Sequence, residues 1–311
     1  TKDTDRTPVQ VPKASYTMEK SRITNADPNG NTKTYGFVRG DKVKYQVMIK
    51  NTGDMPLTMD VTDSFADTDK FEDLKVETVE GTTENGDIEG SVGKNITIEA
   101  GKTAVITFSA VVATDNVNLD DAENRDWSEP DNEGAKGYLN TAKTENVSAK
   151  FTYKDAHGKE QTIIYTEDGR DGTVPYPQDN NGKSELENKD DVANTPVRPV
   201  PSFEISKTRI EAPESDNVPG KYGFRRGETV TYTITVANTG TMDLTMTVED
   251  KFADSNYFTD LTYTKVEGAA WNNNVDSTDT TEVPNITVKA GETAVITVTA
   301  KVADITPEKL S

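Results

Sequence analysis

The chain has 311 residues, with 34 Lys+Arg set against 54 Asp+Glu, a formal charge of −20. That balance argues against nucleic-acid binding, which needs a basic patch, and against docking on an anionic membrane surface. Cysteine is absent, which rules out disulfides, thiolate metal sites and a cysteine nucleophile. The length suggests about two domains. Apolar residues make up only 32 % of the chain, yet they are largely β-branched or aromatic and alternate with polar ones, and there are 45 threonines. Such a composition predicts thin, polar-coated β domains rather than one large core or a disordered chain. No apolar run is long enough to span a bilayer, and Thr1 opens no signal peptide, so the sequence reads as a soluble fragment or mature segment.

In chain order, a Pro-containing stretch, Thr7-Pro8-Val9-Gln10-Val11-Pro12, precedes a first strand in which Tyr16, Met18 and Lys20 share one parity. Asn25, Asp27, Asn29 and Gly30 imitate the start of a calcium loop, but Gly36 stands where the bidentate Glu belongs, so a solvated turn is expected and no metal site. Val43, Tyr45, Val47 and Ile49 alternate with polar residues as in a half-buried antiparallel strand, which closes on Asn51-Thr52-Gly53. In the next strand Leu57, Met59 and Val61 form the inward set, and Asp63 continues it, while Asp60 falls on the outer parity. Residues 95–99 and 103–112 read as a hairpin around Ala100-Gly101.

The stretch 115–137 is a long acidic loop that holds Asp120, Asp121, Glu123, Asp126, Glu129, Asp131 and Glu133 with Trp127 among them, and only 116–126 has room for a helical turn. It is expected as a solvated loop, with ligand or cation binding as the functional alternative. Tyr138, Asn140 and Ala142 then share a strand face. Residues 151–154 and 161–165 form a second hairpin, whose turn holds His157, the only histidine, so a His-based triad or zinc site is not expected. No nucleophile–base pair stands out, and the chain is expected not to be an enzyme and to need no cofactor.

The whole pattern then begins again. Residues 20–81 align without a gap with 207–268, with 28 of 62 positions identical. Thr195-Pro196-Val197-Arg198-Pro199-Val200-Pro201 repeats the first Pro-containing stretch and reads as a linker, 195–201, of extended, semi-rigid backbone. Domain 1 is therefore expected over 13–194 and domain 2 over 202–311. Domain 2 is expected to lack its last strands, as if cut from a longer array. Short alternating strands with frequent turns indicate an all-β fold of tandem β-sandwiches.

Three inward polar residues call for an explanation: Lys20, Asp63 and Asn140. Burial disfavours the ammonium, and a neutral amine is a nucleophile. An adjacent Asn carboxamide is an electrophile for it, and a protonated Asp can shuttle protons. The product would be a Lys–Asn isopeptide bond, formed once with loss of ammonia, with the packed core supplying proximity. The plainer alternatives are a Lys20–Asp63 salt bridge at a sandwich rim and an Asn140 bonded to backbone, with Asn194 as a rival acceptor. In the second copy Lys207 and Asp250 recur, but the acceptor's equivalent would fall near residue 330, so domain 2 is expected to be unlinked.

Lys20 in Met-Glu-Lys-Ser, the strand ending in Asn-Thr-Gly at Gly53, Asp63 in Val-Thr-Asp and Asn140 in Asn-Thr-Ala together resemble the immunoglobulin-like, isopeptide-forming repeats of Gram-positive surface adhesins and pilins, of the collagen-adhesin type. The resemblance covers most of domain 1 and the first two-thirds of domain 2. It implies immunoglobulin-like sandwiches in an extracellular, cell-wall-anchored stalk, with Lys20 joined to Asn140 and Asp63 assisting. The partners it implies are the neighbouring repeats of the same chain. A host surface ligand, bound through 115–137 of domain 1, is the alternative reading.

Overall fold

The computed structural model describes residues 12–26, 36–114, 118–119, 137–155, 157–167, 169–170, 185–210, 223–271 and 282–304. They are almost entirely strand and turn, arranged in antiparallel sheets, as the alternation of β-branched and polar residues requires. Two compact units are formed: the first holds the described residues up to Thr114 and from Gly137 to Arg198, and the second those from Pro199 onward together with 118–119.

In the first unit, β1 (Tyr16–Arg22), β2 (Lys42–Asn51), β3 (Leu57–Phe65), β4 (Phe71–Glu80), β5 (Asp87–Glu89), β6 (Val92–Ile98) and β7 (Thr103–Val112) are followed by β8 (Tyr138–Lys154), β9 (Glu160–Thr166), β10 (Gly169–Arg170) and β11 (Asp190–Thr195). One sheet has the order β1-β2-β7-β4, and the other runs β10-β9-β8-β3-β6-β5 with β11 also paired to β8. Their inner faces meet in one core, in which Tyr45, Val47, Ile49, Ile106 and Phe108 of the first sheet and Leu57, Met59, Val61, Ile96 and Ile98 of the second are fully buried. The two strands expected around Ala100-Gly101 are present as β6 and β7, but they belong to opposite sheets and do not pair, so Ala100-Gly101 is a crossing between the two layers and not the turn of a hairpin.

Two features of this unit differ from the sequence reading. The segments at Tyr138–Ala142 and Phe151–Lys154 are one 17-residue strand, β8. Asn146, with φ +54°, makes an irregularity against β3 there, after which the inward set changes from Tyr138, Asn140, Ala142 and Thr144 to Val147 and Ala149. The start of the expected linker, moreover, is part of the core. Thr195 ends β11, Val197 is fully buried and bridges Phe37, and the Phe37 and Arg198 amides donate to the Pro196 and Phe37 carbonyls at 2.9 and 2.7 Å. Of the expected linker, only Pro199–Pro201 belong to the second unit.

The second unit repeats the plan with fewer strands. β12 (Phe203–Arg209), β13 (Thr229–Asn238), β14 (Leu244–Glu249), β15 (Phe258–Glu267), β16 (Ala270–Trp271), β17 (Glu282–Val288) and β18 (Thr293–Val302) form two sheets, β12-β13-β18-β15 and β14-β17-β16. A short 3-10 turn, Ser255–Tyr257, precedes β15. Val236, Val248, Ile286, Ile296 and Val298 are central to its core. Among the described residues, nothing pairs with β14 on the side where β8 pairs with β3.

The Asn-Thr-Gly motif fixes the same corner in both units. The Asn51 amide donates to the Met55 and Ile98 carbonyls at 2.8 and 3.0 Å, while its Oδ1 accepts from the Gly53 amide at 3.0 Å. Asn238 makes the matching bonds to Met242, Val288 and Gly240. Gly53 is required because a Cβ there would stand 2.4 Å from the Lys13 carbonyl oxygen.

Candidate functional site

β1, in one sheet, and the adjacent strands β3 and β8, in the other, bring Lys20, Asp63 and Asn140 into the core of the first unit. The side chains of Lys20 and Asp63 have no solvent exposure, and Asn140 is likewise fully buried. On the β3–β8 ladder Asn140 stands opposite Phe65, and Asp63 opposite Ala142, so Asn140 and Asp63 lie one step apart on the same inner face. Lys20 Nζ donates to Asp63 Oδ1 from across the sandwich.

An aromatic wall surrounds the amine. Lys20 Nζ lies 5.0 Å from the Tyr45 ring centre and 5.7 Å from that of Phe108. Phe65 meets Tyr45 edge-on and stacks on Phe71 at 3.8 Å, and Phe71 in turn meets Tyr138 edge-on. β11 closes the flank: the Lys20 amide donates to Asp191 Oδ2 at 2.6 Å, the Arg22 Nε to the Asn194 carbonyl at 3.0 Å, and the Tyr45 hydroxyl shares a 2.6 Å hydrogen bond with Thr195.

Burial dominates the electrostatics. Desolvation holds the Lys20 amine below the usual lysine range against the pull of Asp63, and holds the Asp63 carboxyl above the usual carboxylate range against the pull of Lys20. Both directions favour the uncharged pair, an amine beside a carboxylic acid. The neighbouring Asn140 pulls the Asp63 carboxyl back toward its ordinary range, and Asn140 Nδ2 donates to the Ser64 carbonyl at 3.2 Å. Two buried oxygens nevertheless lack hydrogen-bond partners, Asp63 Oδ2 and Asn140 Oδ1. A proton on Asp63 supplies the donor that such an arrangement otherwise lacks.

The Lys20–Asp63 pair is therefore buried and not at a rim, while Asn140, the third residue of β8, does bond to backbone at the Ser64 carbonyl. Asn194 faces the other way: it pairs with Leu139, which is 42 % exposed, whereas its neighbour Ala193 pairs with Asn140. In the second unit Lys207 Nζ donates to Asp250 Oδ1 and Oδ2 at 2.6 and 2.8 Å, with the Lys207 side chain 33 % exposed. Tyr232, Phe252 and Phe258 repeat the places of Tyr45, Phe65 and Phe71, with the amine 4.4 Å from the Tyr232 ring centre. This aromatic setting was not singled out in the sequence, although its identity in both copies was the available signal.

Asp121, Asp126 and Trp127 lie outside the described residues, as do Asp27, Asn29 and Gly30. Among the described residues no group of three or more His, Cys, Asp or Glu is placed to hold a metal ion, and no helix is long and apolar enough to cross a membrane. His157 sits in the turn after β8, its amide bonded to Asp155 at 2.9 Å.

No family model matches the chain, and no curated protein matches it. Similar solved structures include a protein of unknown function from Porphyromonas gingivalis W83, at 11 % identity over 92 % of this chain and 83 % of that one, with a TM-score of 0.23. A DUF4466 family protein from Parabacteroides merdae ATCC 43184 aligns at 7 % identity over 94 % of this chain and 100 % of that one, with a TM-score of 0.21. A family 123 glycoside hydrolase from Clostridium perfringens aligns at 14 % identity over 48 % of this chain and 26 % of that one, with a TM-score of 0.20. Similarity this distant carries no argument about function.

Proposed function

We propose that the chain is a stalk segment of a bacterial cell-surface adhesin, built of tandem immunoglobulin-like sandwiches, in which the first unit cross-links itself through a Lys20–Asn140 isopeptide bond. The observation that supports this reading most is the buried Lys20–Asp63–Asn140 set, which is costly as three unreacted polar groups and makes chemical sense as a reacting one. The neutral Lys20 Nζ attacks the Asn140 side-chain carbonyl carbon. Protonated Asp63 hydrogen-bonds the carbonyl oxygen as negative charge develops there, then relays the amine proton to the leaving nitrogen. The new C–N bond forms as the old one breaks, ammonia departs, and Asp63 ends as it began. The two sheets hold the reactants together, so the entropy of bringing them into contact is met by folding.

Such a bond gives a pulled domain a covalent path from β1 to β8. When the chain is stretched from its two ends in a single-molecule experiment, the wild type is expected to gain no length from residues between 20 and 140. An Asn140→Ala variant should release that segment. Equal extension in both would overturn the stalk reading.

A further inference from the structure

β11 touches the strands of both partners in the proposed cross-link, although it carries neither partner. We infer that β11 assembles the reacting site, with Asp191 as its positioning residue, so that the bond closes only after residues 190–195 have paired with β8; this rests on the Lys20–Asn140 isopeptide reading. The ladders place the residues in rows. Asp63 of β3, Ala142 of β8 and Asp191 of β11 stand in one row, and Phe65, Asn140 and Ala193 stand in the next. Opposed residues of a sheet share a face, so Asp191 lies on the inner side, with the buried Ala193 and Thr195. β1 is the edge strand of the opposite sheet. Lys20 is thereby held at both ends by the carboxylates of one row. Its amide donates to Asp191 Oδ2 at 2.6 Å, and its Nζ donates to Asp63 Oδ1. The Val192 amide donates to Asp191 Oδ1 at 2.9 Å and fixes that carboxylate.

The remaining contacts make β11 a strap that runs alongside β1. The Tyr16 hydroxyl donates to the Glu187 carbonyl at 2.7 Å and Arg22 Nε to the Asn194 carbonyl at 3.0 Å, so both strands advance in the same direction. The Thr144 amide ties one end to the Lys189 carbonyl at 2.8 Å, and the Tyr45 hydroxyl ties the other to Thr195 at 2.6 Å. Pairing with β2 sets the height of Lys20 within its own sheet, and pairing with β3 sets that of Asn140 within the other. β11 sets one sheet against the other at this edge. An error of about 1 Å between reacting groups can cost roughly 100-fold in rate, so this alignment matters to the chemistry. The charge of Asp191 works the opposite way, because it favours the Lys20 ammonium over the nucleophilic amine. Its contribution is therefore positional. Lys20 and Asn140 both precede β11 in the chain, and their dependence on it keeps a half-built unit from locking itself covalently.

The test follows the full chain after cell-free synthesis and reads, by intact mass over time, the fraction short of one ammonia. Asp191→Ala removes the acceptor of the Lys20 amide and is expected to slow the loss by roughly 10- to 100-fold. Asp191→Asn keeps a carbonyl oxygen there without the charge and should react at least as fast as the wild type. Circular dichroism of the same samples separates slow bonding from failure to fold. Thr195→Val loosens β11 through a different bond, that to the Tyr45 hydroxyl, and should also slow the loss; it carries the test if Asp191→Ala does not fold. A folded Asp191→Ala or Thr195→Val chain that cross-links at the wild-type rate overturns the inference, as does an Asp191→Asn chain as slow as Asp191→Ala. Unslowed variants beside a wild type that loses ammonia refute the role of β11 alone. A wild type that never loses ammonia refutes the Lys20–Asn140 reading itself.

Discussion

At the scale of single residues, the decisive fact is that three polar side chains sit where alternation would place apolar ones. Lys20, Asp63 and Asn140 extend the inward sets of β1, β3 and β8, and parity alone was enough to find them, because a strand side chain two places from a buried one faces the same core. Their electrostatics yield a pH prediction. In Lys20→Ala, Asp63 loses its cation but stays buried, so its pKa in the folded state stays above the ordinary value of 3.8. The native state then binds more protons than the unfolded one, and the variant's stability is fullest below that value and falls as pH rises through the raised pKa. The Tm of Lys20→Ala should therefore decline from about pH 4 upward more steeply than that of Lys20→Ala/Asp63→Asn; parallel declines would show that Asp63 is not desolvated. Asn51 supports the fold rather than the chemistry. Asn51→Ala strands two carbonyls and an amide in a buried corner and should cost roughly 3 kcal/mol in chemical denaturation.

At the scale of elements, what was legible followed from regular alternation, and what was missed followed from its interruption. β2, β3 and β7 were plain because their buried residues recur at every second place. β8 reads as two pieces in the sequence because the left-handed Asn146 moves the inward set by one residue, and a period-two pattern cannot be followed through such a shift. β11, with only Ala193 and Thr195 buried among its six residues, gave too little apolar signal to be seen as a strand. Val197 was concealed by its prolines, which signal extended backbone equally well whether it is solvated or packed. The orientation of β11 yields its own test: Asn194→Ala should leave the mass deficit of the wild type unchanged, and loss of the deficit would make Asn194 the acceptor after all.

At the scale of the whole molecule, the two units share one plan but differ in the strands described for each. The second has the lysine, the aspartate and the aromatic wall, without a described strand to carry the acceptor. The cross-link should therefore stabilise the first unit alone. By analogy with a disulfide closing a loop of similar length, Asn140→Ala should lower that unit's stability by about 4–5 kcal/mol. In calorimetry the transition of the first unit should shift downward while that of the second stays in place, and a common shift of both would argue against a bond confined to residues 20 and 140.

The central claim is a covalent bond, and intact mass measures it most directly. The purified wild-type chain is expected to weigh one ammonia less than its calculated mass, with Lys20→Ala and Asn140→Ala each at full calculated mass. A wild-type chain at its full calculated mass would contradict the account and leave Lys20, Asp63 and Asn140 as a buried, unreacted polar cluster.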